Sequence, residues 1–234
     1  FERASAQGIK TSQISAKRYE GTGFTRAALR GANYIGANQL NEIVEESANA
    51  LANESSFAYV YLNHLDVAGH EDGVGSEKWL TALATVAQLL TELKEKLPIG
   101  TRIWVTADHG MVNAEEIIVF GQDNELDKDV TLYGGEPRAR HLYLREGSLS
   151  EVKARYKSFL GTKAEVLTKD EAITMNLFGS EVSIDSNERI GDLLVIAKGG
   201  TILVDPARVK QEAGMIGHHG GLSEVESLIP LLAY

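Results

Sequence analysis

The stretches FAYVYL (residues 57–62) and IWVTA (residues 103–107) decide the fold class of this protein. Each is a nearly continuous run of aromatic, β-branched and aliphatic side chains, which is typical of a strand buried on both faces of a sheet. Between them, residues 76–97 carry apolar side chains at three- and four-residue steps, which predicts a long helix. Strand, helix and strand in this order predict a βαβ crossover. We therefore expect an α/β fold with a largely parallel central sheet sandwiched by helices.

Weaker elements lie on either side of this unit. Before it, the pattern predicts a weak strand at residues 9–15 and a helix over residues 38–53. After Gly110 the pattern loosens into short strands, with helices at residues 149–160 and 169–176. The predicted strands are at residues 117–120, 139–144, 164–167, 192–197 and 201–204.

This order of elements predicts a chain in three parts. Residues 1–111 would form the α/β core, residues 112–209 a mixed α+β excursion or small subdomain, and residues 210–234 a return to the core. A chain of 234 residues is long enough to bury a substantial core without disulfides. The sequence contains no internal repeat and no low-complexity tract.

The composition excludes several classes of protein. Because there is no cysteine, these residues cannot form disulfides, thiolate nucleophiles or cysteine-ligated zinc sites. A formal charge of −10 argues against a general nucleic-acid-binding surface. No apolar run approaches the roughly 20 residues that cross a bilayer. Residues 1–6 (FERASA) lack the layout of a signal peptide, which slightly favours the cytoplasm but leaves the compartment open.

Five of the six histidines lie in three short polar segments, which are NHLDVAGH (residues 63–70), DHG (residues 108–110) and GHHGG (residues 217–221). The first two segments follow the two predicted parallel strands. Sites in such sheets form at the carboxyl ends of strands, so the segments should converge. Asp and neutral His are ligands that suit zinc, manganese or iron.

The spacing within the segments also favours a metal site. Asp66 and His70 are four residues apart, which places them on one side of a helical turn or compact loop. Gly110 would permit a sharp turn that aims Asp108 and His109 inward. Each segment alone could equally be a capped turn, a solvated helix face or a surface loop. The three together favour the metal site.

The same segments carry a resemblance to a known family. DVAGHEDG (residues 66–73), TADHGM (residues 106–111) and GHHG (residues 217–220), in this order, resemble the type I phosphodiesterase/nucleotide pyrophosphatase branch of the alkaline phosphatase superfamily. GFTRAALRG (residues 23–31) and GGEPRARHLY (residues 134–143) resemble its actinobacterial members in particular. The resemblance extends over nearly the whole chain. It implies an alkaline-phosphatase-like fold and hydrolysis of phosphodiester, pyrophosphate or phosphomonoester bonds in small substrates such as nucleotides.

The resemblance also implies a metal-dependent mechanism. The family uses two divalent metal ions, here most plausibly zinc with manganese as the alternative, to activate a Ser or Thr nucleophile. By this resemblance, Asp66, His70 and His219 would ligate one ion, and Asp108 and His109 would ligate the other. The first site would then have its full set of three protein ligands, whereas the second would not.

Two elements of the family pattern are missing from this sequence. The family requires an earlier Asp ligand and a Ser or Thr nucleophile, but residues 1–65 contain no Asp and no Ser or Thr in the nucleophile's context. We therefore expect a C-terminal portion whose N-terminal fragment is missing. Such a chain would be inactive or weakly active alone.

Other interpretations stay open at this point. The chain could be an inactive homologue, a non-catalytic metal-binding fragment, or a half that pairs with the missing segment. Within the same superfamily, a phosphomutase or a sulfatase would share these ligands. His64 and His218 fall outside the family's ligand positions, which predicts a supporting or surface role, and His141 lies in a strand pattern, which predicts a structural one.

Two further groups of residues have two interpretations each. The first could contact a substrate phosphate or form salt bridges at a tight strand entry, and consists of Glu136, Arg138 and Arg140. The second could form a phosphate-facing loop or a helix start, and consists of Gly21, Gly23 and Arg26.

Overall fold

The computed structural model describes residues 1–52 and 55–234, and it has a mixed α/β architecture. The helices are α1 (Glu2–Ser5), α2 (Gly23–Ala28), α3 (Leu40–Ala50), α4 (His64–Asp72), α5 (Glu77–Lys96), α6 (Leu149–Leu160), α7 (Lys169–Thr174), α8 (Ile184–Arg189), α9 (Val209–Glu212) and α10 (Glu224–Ser227). Among the described residues, no helix combines the length and apolar composition that a membrane span requires.

Within the described residues, the strands are short and pair in five separate sheets. They are β1 (Lys10–Ser15), β2 (Asn33–Gly36), β3 (Ser56–Val60), β4 (Trp104–Thr106), β5 (Val112–Asn113), β6 (Glu116–Val119), β7 (Val130–Glu136), β8 (Ala139–Leu144), β9 (Ala164–Thr168), β10 (Leu193–Ala197), β11 (Thr201–Val204), β12 (Gly217–His218) and β13 (Leu231–Ala233). The chain forms two compact units. The first comprises Phe1–Ala68, Glu77–Trp104 and Ala233–Tyr234, and the second comprises Gly69–Ser76 and Val105–Leu232. The predicted boundaries after residues 111 and 209 stay a prediction.

A parallel sheet forms the centre of the first unit. Its strand order is β2-β1-β3, and both pairings of the central strand are parallel. Helices α3 and α5 contribute to a core with this sheet, whose buried members are Ile14, Ala37, Ile43, Val44, Leu89 and Leu93. The predicted α/β class is therefore confirmed. Helix α3 lies within the predicted range 38–53, and residue 53 is outside the described residues.

The two strands that suggested the fold differ from the prediction in pairing and burial. In the described chain, β3 pairs with β1, whereas β4 pairs with β13 in a separate sheet. Phe57 and Tyr59 are 48% and 37% exposed, and Trp104 is 64% exposed. The expectation of strands buried on both faces is thus wrong. Ala58 and Val60 pack against the core, but the described residues leave the opposite face of β3 partly uncovered.

The second unit is built around an antiparallel sheet with the order β7-β8-β10-β9. Helix α6 packs into the core of this unit through Val152, Tyr156 and Leu160, which follow one another at four-residue steps and are at most 1% exposed. The Tyr156 hydroxyl donates a hydrogen bond of 2.7 Å to the carbonyl of Leu126. The predicted strands at residues 117–120, 139–144, 164–167, 192–197 and 201–204 correspond to β6, β8, β9, β10 and β11.

Strand β7 was not predicted because its sequence contains a pair of glycines. Gly135 has a φ of +76° and a Cβ there would overlap the carbonyl oxygen of Ala139, so the hairpin into β8 requires glycine. Residues 134 and 135 nevertheless pair with His141 and Arg140 of β8. The antiparallel partner therefore stabilises a strand that local sequence preference disfavours.

Two leucines of the second unit differ in burial, and we therefore expect their substitution to differ in its effect on stability. Leu193 in β10 is fully buried, whereas Leu132 in β7 is 58% exposed. We expect Leu193→Ala to lower the free energy of unfolding by about 2–5 kcal/mol, because it leaves a cavity. Leu132→Ala should change it by less than about 0.5 kcal/mol. Urea denaturation followed by circular dichroism measures both, and equal losses would contradict this account of the core.

Candidate metal centre

The first histidine segment lies on helix α4, which follows β3 in the chain. Asp66 is in the first turn of this helix and His70 is in its last turn, one helical turn apart. Nδ1 of His70 lies 2.8 Å from the carbonyl oxygen of Gly217, and the carbonyl of His70 accepts a 2.7 Å hydrogen bond from the amide of Ile216. A Cβ at position 217 would overlap the carbonyl oxygen of Gly69. The end of α4 can therefore approach this segment only where glycine is present.

The second segment follows β4, and the backbone bends at Asp108. Nδ1 of His109 lies 2.9 Å from the carbonyl oxygen of Gly110, and its Nε2 lies 3.8 Å from the carboxylate of Asp108. The Asp108 side chain is 71% exposed. A Cβ at position 110 would overlap the carbonyl oxygen of Val225. Glycine is thus needed here for a close backbone approach, whereas the sequence suggested it for a sharp turn.

The two histidines of the third segment differ in burial. His218 belongs to β12, which pairs antiparallel with β5, and it is only 2% exposed. Its Nε2 lies 3.2 Å from the carbonyl oxygen of Met215, and burial lowers the pKa of His218 below its ordinary value. His219, the next residue, lies beyond the end of β12, and its side chain is half-buried. The burial of His218 supports a structural role for that residue.

The second unit brings three imidazole rings together. The ring of His219 stacks on that of His109 with a centroid separation of 3.5 Å and an interplanar angle of 14°. The ring of His70 lies 5.2 Å from that of His219. When Nδ1–H of His70 and of His109 donates to its backbone carbonyl, Nε2 of each ring is the unprotonated nitrogen. Such a carbonyl contact is typical of metal-ligating histidines.

A carboxylate lies near these rings within the second unit, because an oxygen of Asp108 is 3.8 Å from Nε2 of His109. Imidazole nitrogens with a carboxylate oxygen fit zinc and similar divalent ions. The assignment of individual ligands to individual ions stays a prediction.

The arginines of the stretch at residues 134–143 form salt bridges rather than a substrate-facing surface. Arg138 and Arg140 are 0% and 1% exposed, and each pairs with a buried glutamate, Glu226 and Glu212 respectively. Of the two interpretations of these arginines, the salt bridge is therefore the correct one. Glu136 is exposed at the end of β7.

The stretch at residues 21–31 contains a helix start. Helix α2 begins at Gly23, and the Thr22 side chain accepts a hydrogen bond of 3.3 Å from the amide of Thr25. Arg26 is exposed on this helix. The local geometry thus accounts for this stretch through helix capping.

Glu226 is a buried charged residue near these segments that the sequence pattern did not indicate. Burial by itself would raise its pKa, but hydrogen bonds from Arg138, Ser223 and Gly221 lower it, so the carboxylate stays ionised. The local pattern SEVE at residues 223–226 is that of a capping box and could have indicated the start of α10. Its partner Arg138 is 88 residues away, and no local pattern indicates that contact.

The comparisons with known proteins agree with this architecture. The structure of an inactive threonine-to-alanine variant of murine ectonucleotide pyrophosphatase/phosphodiesterase 5 in complex with AMP superposes with a TM-score of 0.71 at 17% identity, covering 99% of this chain and 62% of that one. The human protein gives 0.69 at 18% identity, with the same coverage.

A bacterial structure shows a more partial similarity. Phosphonoacetate hydrolase from Sinorhizobium meliloti, in complex with phosphonoformate, gives a TM-score of 0.60 at 21% identity, covering 83% of this chain and 49% of that one. The chain thus spans less than two thirds of the length of these solved relatives. At such identities, the similarity demonstrates the fold. No curated protein sequence matches the chain.

The family itself is established by sequence. The profile described as type I phosphodiesterase/nucleotide pyrophosphatase matches residues 15–222, which is most of the chain. The resemblance that the three histidine segments suggested is therefore confirmed. This chain belongs to the type I phosphodiesterase/nucleotide pyrophosphatase family.

Proposed function

We propose that the intact protein hydrolyses phosphodiester, pyrophosphate or phosphomonoester bonds of small substrates such as nucleotides, with the help of two divalent metal ions. Membership of the family supports the hydrolase class. The observation that carries the metal dependence is the cluster of His70, His109 and His219. Clustered neutral imidazoles beside a carboxylate are a donor set that divalent cations prefer.

The proposed ligand sets follow the family pattern. Asp66, His70 and His219 would hold one ion in an open three-ligand site, and Asp108 and His109 would contribute to the second. When bound, such a pair of ions supplies Lewis-acid stabilisation to a phosphoryl group. Zinc suits two imidazoles with one carboxylate best, and manganese is the alternative.

The chain's own residues would prepare this site. The carbonyls of Gly217 and Gly110 hold the Nδ1 atoms of His70 and His109 at 2.8 and 2.9 Å, which fixes the ring orientations. This arrangement leaves Nε2 of each ring as the ligand atom. The exposed carboxylate of Asp108 lies beside His109 and remains accessible to a cation.

The proposed mechanism takes its nucleophile from outside these 234 residues. Residues 1–65 contain no Asp for the second ion and no Ser or Thr in the family's nucleophile context. In the murine relative, a threonine-to-alanine variant is the one described as inactive. An additional segment would also have a surface to cover, because Phe57, Tyr59 and Trp104 expose large apolar areas.

Metal binding tests the ligand assignment. We expect the metal-free chain to bind one zinc ion tightly and a second ion weakly, because only the first site has three ligands here. His219→Ala should weaken the tight site by at least about tenfold. Isothermal titration calorimetry with a competing chelator measures the affinity and the stoichiometry.

His64 provides the matched control for this titration. It is an exposed histidine at the start of α4 and lies outside the predicted ligand set. His64→Ala should leave the zinc affinity within about threefold of the unchanged chain. Equal weakening by the two substitutions, or no zinc binding by the unchanged chain, would reject the proposed site.

Hydrolysis tests the origin of the nucleophile. Bis(p-nitrophenyl) phosphate should be cleaved by a longer protein that contains the preceding segment, and a chelator should abolish this activity. The 234-residue chain alone should be slower by at least about 10³-fold, because loss of a nucleophile has an effect of this size or larger. Release of p-nitrophenol reports both rates.

Three outcomes would contradict the proposal in different ways. A brisk, chelator-sensitive rate from the chain alone would show that the nucleophile lies within these residues. A longer protein that binds metal but hydrolyses no phosphate ester would favour a non-catalytic metal-binding domain. A longer protein that cleaves sulfate esters or isomerises phosphosugars instead would identify a sulfatase or a phosphomutase.

A further inference from the structure

Glu226 accepts hydrogen bonds from two of the histidine segments, the one at residues 108–110 and the one at residues 217–221. Its backbone carbonyl accepts a hydrogen bond of 2.8 Å from the amide of Gly110, the residue after His109. Its side-chain Oε1 accepts a hydrogen bond of 2.8 Å from the amide of Gly221, two residues after His219. One residue therefore contacts the backbone beside two imidazoles whose rings stack on each other.

Arg138 holds this glutamate in a single orientation. Its Nε and Nη2 donate to the two carboxylate oxygens of Glu226 at 2.9 and 2.8 Å, which is a bidentate pair. Its Nη1 donates to the carbonyl of Thr201 in β11. Both side chains are at most 1% exposed. The pair is therefore shielded from solvent, and Arg138, which lies in the turn between β7 and β8, is held by its contact with β11.

The remaining contacts complete the hydrogen bonding of the carboxylate. Ser223 donates to Oε2 at 2.5 Å, so both oxygens of Glu226 have two donors. A Cβ at Gly221 would approach these oxygens to 2.8 Å and 2.9 Å, so the loop follows the carboxylate closely. The loop that carries His219 is thus shaped around an ionised glutamate.

We propose that Glu226, held by Arg138, is a positioning residue that fixes His109 and His219 for metal binding. This inference rests on the proposed function, since it concerns the ligands of the same site. Partners that orient metal ligands typically contribute about 10–100-fold to metal affinity. Glu226 would act through the backbone beside these ligands, at Gly110 and Gly221.

The second buried pair of the same unit provides a matched control. Arg140 and Glu212 are as deeply buried as Arg138 and Glu226. Arg140 donates to the carbonyls of Leu203 and Gly135, and Glu212 accepts from the amide of Asp205. None of these contacts involves a histidine segment. Disrupting this pair should therefore affect stability without affecting the metal ligands.

The test compares Glu226→Gln with Glu212→Gln in the full chain. Zinc affinity, measured by calorimetry with a competing chelator, should fall by about 10–100-fold in Glu226→Gln. It should stay within about threefold in Glu212→Gln, although both variants lower the urea midpoint. In the metal-free chain, hydrogen exchange at the Gly221 amide should accelerate only in Glu226→Gln, which provides a readout that does not depend on bound metal.

A pair of double variants addresses the case in which a single variant does not fold. Arg138→Met with Glu226→Met removes both charges together, and so leaves no unpaired buried charge. Arg140→Met with Glu212→Met is its control. The same difference in zinc affinity is expected between these two proteins.

The outcomes separate this inference from the proposed function. If the unchanged chain binds zinc and the folded Glu226 variants bind it equally tightly, the positioning role is wrong and the metal site stands. If both pairs weaken binding equally, the effect is one of general stability, and the inference is also wrong. If the unchanged chain binds no zinc, the metal site and the inference fail together.

Discussion

The histidine segments of the second unit can approach one another only because glycine occupies positions 110 and 217. A Cβ at either position would overlap a backbone carbonyl oxygen, that of Val225 in one case and that of Gly69 in the other. Such overlap cannot be relieved by rotating a side chain, because the obstructing atoms belong to the backbone. The stacking of His109 on His219 therefore depends on two missing methyl groups as much as on the imidazoles themselves.

Buried charge supports the same region. In water, an exposed salt bridge contributes little, but a buried and fully hydrogen-bonded pair is costly to disrupt because it leaves an uncompensated charge. Arg138 and Glu226 meet this condition, and each also contacts backbone outside its own element. The overall charge of −10 does not predict this arrangement, since the two charges cancel in the interior. The pair is shielded from solvent, and its glutamate binds the backbone of the loop at residues 217–221.

The sequence by itself determined the fold class, the family and most of the second unit's strands. Apolar periodicity identified α5 and the parallel-sheet class, and the order of the three histidine segments identified the family. Those signals are local, because spacing along the chain fixes which side chains share a helix face or follow a strand. Burial of β3 could not be predicted in this way, since Phe57 and Tyr59 look like core residues whether or not another segment covers them.

Only the tertiary structure decided how the polar residues pair. From the sequence, Arg138 and Arg140 suited a phosphate-binding loop and a salt-bridged turn equally, because an arginine's partner can come from anywhere in the chain. The fold brings each of them to a glutamate more than 70 residues away. It also turns His218 into the interior and leaves His219 beside His109, a difference that the family resemblance suggested but that residue type alone cannot show. Residue types and their spacing thus specify the chemistry that is available, whereas long-range packing specifies which side chains remain free to perform it.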